Sequence, residues 1–128
     1  MATGALMLVV VEVEDLDRAL AFYRDLLGLP LKRDDHAIGQ DRWISGDHAA
    51  TSWRDGRFLH FALYKSKGAV TRDVQLGFAT DELDALHERI AAAGHTVDHP
   101  PRDEPWGRTA RYRDPDGNSV SFTQAADA

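Results

Sequence analysis

Cysteine is absent from the chain. That excludes disulfides, thiolate metal ligands and a cysteine nucleophile at once. Positive charge is scarce as well. Fifteen Lys and Arg stand against 21 Asp and Glu, a net charge of −6, so the broad electrostatic attraction behind nucleic-acid or anionic-membrane binding is not expected. No apolar run approaches the ~20 residues of a membrane-spanning helix. The most apolar stretch, residues 6–11, is short, has no basic leader and runs into acidic residues, which is not the pattern of a signal peptide. A soluble, cytoplasmic protein is expected. The common catalytic signatures are missing too: there is no glycine-rich phosphate loop, no Gly-x-Ser-x-Gly and no His-Glu-x-x-His. The histidines are scattered. His95 and His99 are four apart, but in a strand that separation is roughly 13 Å, too far to share a metal.

What the chain does have is 128 residues, enough for one domain with a real core, and an ordinary apolar fraction. Its strongest local signal is Asp114-Pro115-Asp116-Gly117-Asn118. Asp-Pro and Asp-Gly are turn formers, because Pro presets φ and Gly permits positive φ. Ser119-Val120-Ser121-Phe122-Thr123 then alternates as a half-buried strand does. A hairpin is expected between residues 109–113 and 118–123.

The rest of the chain falls into two similar halves. Residues 6–13 read as a strand with Val9, Val11 and Val13 on one face and Leu8, Val10 and Glu12 on the other. Asp15 is placed to cap a helix with the stripe Leu16, Ala19, Leu20, Tyr23, Leu26 and Leu27. Gly28 ends it and Pro30 blocks its continuation. Strands are expected at residues 31–36, 42–45 and 58–64, with a loop at 46–56 and a linker at 65–71. The pattern restarts with a strand at residues 74–79. Asp81 is placed to cap a second helix, with the stripe Leu83, Leu86, His87 and Ile90 and an end at Gly94. A weak strand holding Val97 precedes Pro100-Pro101, and the hairpin completes the half.

Two offsets relate the halves. Leu16-Asp17 recurs 67 residues on as Leu83-Asp84, which sets Leu8 over Gln75. Asp55-Gly56 recurs 61 residues on as Asp116-Gly117, which sets Phe58 over Ser119 and His60 over Ser121. The expected fold class is α+β: two βαβββ modules, about residues 5–65 and 73–124, forming a curved mixed sheet around a cleft within a single domain of residues 1–128. One helix covers one face of each half. The bare faces, with Leu8, Val10, Glu12, Phe58, His60, Tyr64, Gln75, Gly77, Ser119, Ser121 and Thr123, would line a small-molecule pocket.

Here the chain resembles the vicinal oxygen chelate superfamily of glyoxalases, bleomycin-resistance proteins and extradiol dioxygenases. The likeness lies in residues 11–29, with Phe22-Tyr23 and Leu27-Gly28, and in residues 78–86. It continues through Ala92-Ala93-Gly94, Pro105-Trp106-Gly107 and the Asp-Pro-Asp-Gly-Asn turn. These motifs mark the fold and not one reaction. Metalloenzymes of that family carry ligands, usually His or Glu, at one position on the first and last strand of each module. Carried over, the four positions are Leu8, His60, Gln75 and Ser121. Leucine cannot ligate, serine is a poor neutral ligand, and a catalytic zinc or iron site wants about three strong protein ligands. A slip of one residue brings in Val9, Val74 or Leu76, and Val120 or Phe122, none of them a ligand. No metal, no cofactor and no catalytic residue is therefore expected, and enzyme activity is disfavoured.

The resemblance then implies the metal-free, drug-binding branch. The expected function is sequestration of a bulky aromatic natural product or antibiotic, giving antibiotic self-resistance. Trp43, Trp53, Phe58, Tyr64 and Trp106 would stack on the ligand, and His60, Gln75 and Ser121 would contact it. Related resistance proteins are two-fold dimers, which implies a homodimer. No nucleic-acid or membrane partner is expected. The alternative is a lyase, isomerase or dioxygenase of the same fold, working with unusual metal ligands or with His60 or Glu12 as general base.

Overall fold

The computed structural model describes residues 8–35, 42–49, 59–70 and 72–125. The chain is α+β and falls into two units, residues 1–70 and 71–128. Each is a βαβββ module with its own four-stranded mixed sheet.

In the first unit, β1 (Leu8–Val13) lies parallel to β4 (Leu59–Lys65), and β3 (Trp43–Ala49) joins β4 to β2 (Arg33–Asp35), in the order β1-β4-β3-β2. The helix between β1 and β2 begins as α1 (Leu16–Leu20) and continues as a π-helical run, Ala21–Leu26. Asp15 caps it as expected, its carboxylate accepting the Arg18 backbone N–H at 3.1 Å. The buried stripe departs from the expected one. Phe22 and Tyr23 are buried, whereas Leu26 and Leu27 are only half-buried. The Leu27 N–H reaches back five residues to the Phe22 carbonyl at 3.0 Å. That wider turn advances each residue by less than a regular helix does, so the core-facing stripe moves. Gly28, at φ +77°, ends the run as its sequence position suggests. The helix packs on Val11, Val13, Ile44, Phe61 and Leu63, with the Tyr23 and Phe61 ring centroids 5.7 Å apart. The segment expected as a loop from residue 46 continues β3 to Ala49 instead. Arg42 fastens the start of that strand, reaching Asp34 at 2.7 Å and Asp17 at 3.1 Å.

The second unit repeats the plan in the order β5-β8-β7-β6, with β5 (Gln75–Ala79), α2 (Leu83–Ala92), β6 (Val97–Glu104), β7 (Gly107–Arg113) and β8 (Ser119–Ala125). Leu83, Leu86 and Ile90 of α2 are buried with Ala110, Tyr112, Val120 and Phe122 of the sheet. Asp81 does not cap this helix. The Leu83 N–H donates to the Gln124 side chain at 3.0 Å and the Glu82 N–H to Thr80 at 3.2 Å. Pro100 and Pro101 lie inside β6 rather than after it. They fall where the β6–β7 register slips between His99 and Arg102, on the edge strand of the sheet. Missing N–H donors are tolerated at such a place.

The hairpin has the expected turn, and its chemistry is extensive. Asp114 Oδ1 accepts the backbone N–H groups of Asp116 at 2.9 Å and Asn118 at 2.8 Å, and Oδ2 accepts the Asn118 amide at 3.1 Å. Gly117 supplies the positive φ of +97°. Asn118, fully buried, then accepts the Val74 N–H at 3.2 Å, so the turn also holds the chain entering β5.

Candidate functional site

Strand alternation gives each sheet one face under its helix and one without. In the first sheet the ladders set Glu12, Tyr64 and Trp43 in one row and Val10, Ala62 and Ser45 in the next. His60 lies opposite Leu8. Trp43 and Tyr64 form an aromatic pair at 5.8 Å between centroids. Leu8 is 40% exposed and Val10 38% exposed on the neighbouring edge strand. With Trp106, 65% exposed in the β6–β7 turn, they are the exposed large apolar side chains among the described residues. The exposure of Leu8 and Val10 follows from the predicted alternation of β1. Trp53 and Phe58, expected in the site, and His36 and Asp55-Gly56, lie outside the described residues.

Ser45 was not singled out by its sequence. It is fully buried, and its hydroxyl has no hydrogen-bond partner among the described residues. A buried unpaired hydroxyl costs stability, commonly about 1–3 kcal/mol. Ser45→Ala is accordingly expected to raise stability by about 1 kcal/mol, read as a higher midpoint in urea. A lower midpoint would mean that the hydroxyl has a partner in solution.

The second sheet's helix-free face is different in kind. Its rows read Gly77, Ser121, Arg111, His99 and Ala79, Thr123, Thr109, Arg102. It is small and polar rather than aromatic. Gly77, Ala79, Thr123 and Ala125 line an open depression of about 690 Å³, with Phe78, Thr80 and Asp81. The Trp106 turn adjoins it through Gly107, which pairs with Ala125. Gln75 is exposed and Ser121 half-buried.

The ladders correct the repeat arithmetic. Gln75 pairs with Ser119, and Ser121 with Gly77. The offsets of 67 and 61 therefore disagree by two residues, since Leu8 pairs with His60 but Gln75 pairs with Ser119 rather than Ser121. Two residues is a full strand period, so every side chain keeps its face.

Neither register suits the divalent metal that metalloenzymes of this fold hold. Leu8 has no donor atom. Ser121 donates its hydroxyl to the Leu76 carbonyl at 3.3 Å. Gly77 and Ser119, the residues the other register brings in, add nothing better. No three His, Asp or Glu side chains among the described residues gather where a metal could sit. The donor set does not fit the group.

Tyr112 is a buried titratable residue on the other, helix-covered face. Burial, aided by the charge of Asp84, pushes its phenol up to about 12, and its hydroxyl lies 2.9 Å from His87 Nδ1. It remains protonated near neutrality and ties α2 to β7.

Comparison with known proteins agrees with this architecture. TnmS3, an antibiotic binding protein from Streptomyces sp. CB03234, is 27% identical, with a TM-score of 0.76 over 98% of this chain and 99% of its own. A glyoxalase/bleomycin resistance protein from the same organism is also 27% identical, with a TM-score of 0.72 over 94% of this chain and 100% of its own. A Sphaerobacter thermophilus member of the glyoxalase/bleomycin resistance protein/dioxygenase superfamily, at 21% identity and a TM-score of 0.73 over 97% and 99% of the two chains, shares the fold. A comparison with curated proteins finds no match. No helix among the described residues is long and apolar enough to cross a membrane. The family model for the Glyoxalase/Bleomycin resistance protein/Dioxygenase superfamily matches residues 6–122, and the chain belongs to that superfamily.

Proposed function

We propose that the chain binds a bulky aromatic small molecule without a metal and returns it unchanged, and that this sequestration confers resistance to the bound compound. The observation that carries the reading is the exposure of Leu8 and Val10 on the first unit's sheet. Leu8 and Val10 share their sheet face with the Trp43–Tyr64 pair. Large apolar side chains left open beside an aromatic pair suit a flat ligand. The likeness to an antibiotic binding protein over nearly the full length supports the same reading, as does a donor set too poor for a catalytic metal. His60, Gln75 and Ser121 are assigned to polar ligand contacts, and Trp53 and Phe58 to further stacking. The working assembly is a homodimer.

The test is a tryptophan-fluorescence titration against a panel of polycyclic aromatic natural products, with each bound compound recovered and weighed by mass spectrometry. Saturable quenching, insensitive to chelator and with the ligand intact, is expected. A changed mass, or binding lost on chelation, would replace sequestration with catalysis. Trp43→Ala is expected to weaken binding about tenfold, the worth of one good stacking partner. An unchanged dissociation constant would remove Trp43 from the site.

A further inference from the structure

In a chain of net charge −6, the helix-free face of the second sheet carries three arginines. Two are occupied. Arg113 binds Asp98 at 2.7 Å and donates to the Gly117 carbonyl at 3.2 Å. Arg102 binds Glu104 at 2.7 Å. Arg111 sits between them on the interior strand β7. It is exposed, with no hydrogen bond or ion pair among the described residues. Its flanks, Ala110 and Tyr112, are buried on the helix side, so alternation sends Arg111 to the open side.

Its surroundings there are small or hydroxylated. Ser121 lies directly across on β8, His99 on β6, and Thr123 is the diagonal neighbour. Beyond Ser121 comes Gly77, a wall of the 690 Å³ depression that Ala79 and Thr123 also line. Two strand spacings, about 10 Å, separate Arg111 from Gly77. The carboxylates nearest on this face, Asp98 and Glu104, are already held by the other two arginines. Asp81 lies at the depression, on the chain leaving β5. A ligand anion is thus drawn toward Arg111 and away from Asp81. A planar guanidinium with open donors is matched by a planar, two-oxygen anion.

We infer that Arg111 anchors an ionised acidic substituent, a carboxylate or a group of the same charge, on an aromatic ligand bound at the second sheet, with its rings over Gly77, Ala79 and Thr123. This inference rests on the reading that the chain binds aromatic molecules and assigns acidic aromatics to the second unit's open face.

The test uses two fluorescent probes of equal size, 1-pyrenecarboxylate and its neutral 1-pyrenecarboxamide, titrated into the full chain and into Arg111→Gln and Arg111→Lys. The wild-type chain is expected to favour the carboxylate by about tenfold or more, and added salt to narrow that preference. Arg111→Gln is expected to bring the two affinities together, and Arg111→Lys to keep part of the difference. Equal affinities in the wild type, or a preference that survives Arg111→Gln, overturn the inference and leave aromatic binding standing. Binding of neither probe overturns both.

Discussion

Asp114→Ala is expected to cost about 3–4 kcal/mol, measured as the fall in unfolding free energy in urea. Asp114 is 4% exposed, and its carboxylate accepts hydrogen bonds from two backbone N–H groups and from the Asn118 amide. Bonds to a charged acceptor are worth about 1.5–3 kcal/mol each, but such values do not add within one network. Alanine also strands buried donors that water cannot reach in the tight turn. The damage should spread, because Asn118, once unrestrained, also holds the Val74 N–H at the entry to β5. Asp114→Asn keeps one oxygen for the two backbone donors and loses the acceptor for the Asn118 amide, so about half the loss is expected. A loss below 1 kcal/mol for Asp114→Ala would mean that water replaces these bonds, and that the turn is less buried in solution.

That network shows where sequence reading reaches and where it stops. Asp-Pro-Asp-Gly-Asn names the turn, since each residue's preference is local. The link from Asn118 to Val74 spans 44 residues, and no local preference encodes it. The helix starts divide the same way. Asp15 caps its own helix three residues on, whereas Gln124, from the last strand, does the work expected of Asp81. Pro100-Pro101 argued for a strand end, yet β6 runs through them because an edge position and a register slip need no donor there. In the candidate site, alternation alone told which residues share a face. It set Leu8, Val10 and Tyr64 together, and Gly77 with Ser121. It could not tell that Ser45 is buried without a partner among the described residues, or that Arg111 is the arginine left open on the second sheet's helix-free face, since both depend on what neighbouring strands supply.

Gly46→Ala tests whether the first sheet's open face depends on how closely β3 approaches the chain leading into β2. Gly46 is buried, and a Cβ there would stand 1.7 Å from the Pro30 carbonyl oxygen, 2.6 Å from its carbon and 3.2 Å from the Leu31 Cα. All three are backbone atoms, so no side-chain rotation relieves the overlap, and Leu31 is itself a core residue at 5% exposure. One of the two backbones has to move, and a loss of about 3 kcal/mol or more is expected. Gly28→Ala is the control. Its φ of +77° strains any other residue, but nothing lies within 4 Å, so only the backbone penalty of about 1 kcal/mol applies. The two substitutions also part in binding. A displaced β3 carries Ser45 and Trp43 with it, so the folded fraction of Gly46→Ala should bind the aromatic panel more weakly, while Gly28→Ala, at the helix end, should bind as the wild type does. Equal stability losses for the two variants would mean that β3 and the Pro30 segment separate easily. The face built on β3 would then be deformable, and the aromatic pair would have to be ordered by the ligand instead of waiting for it.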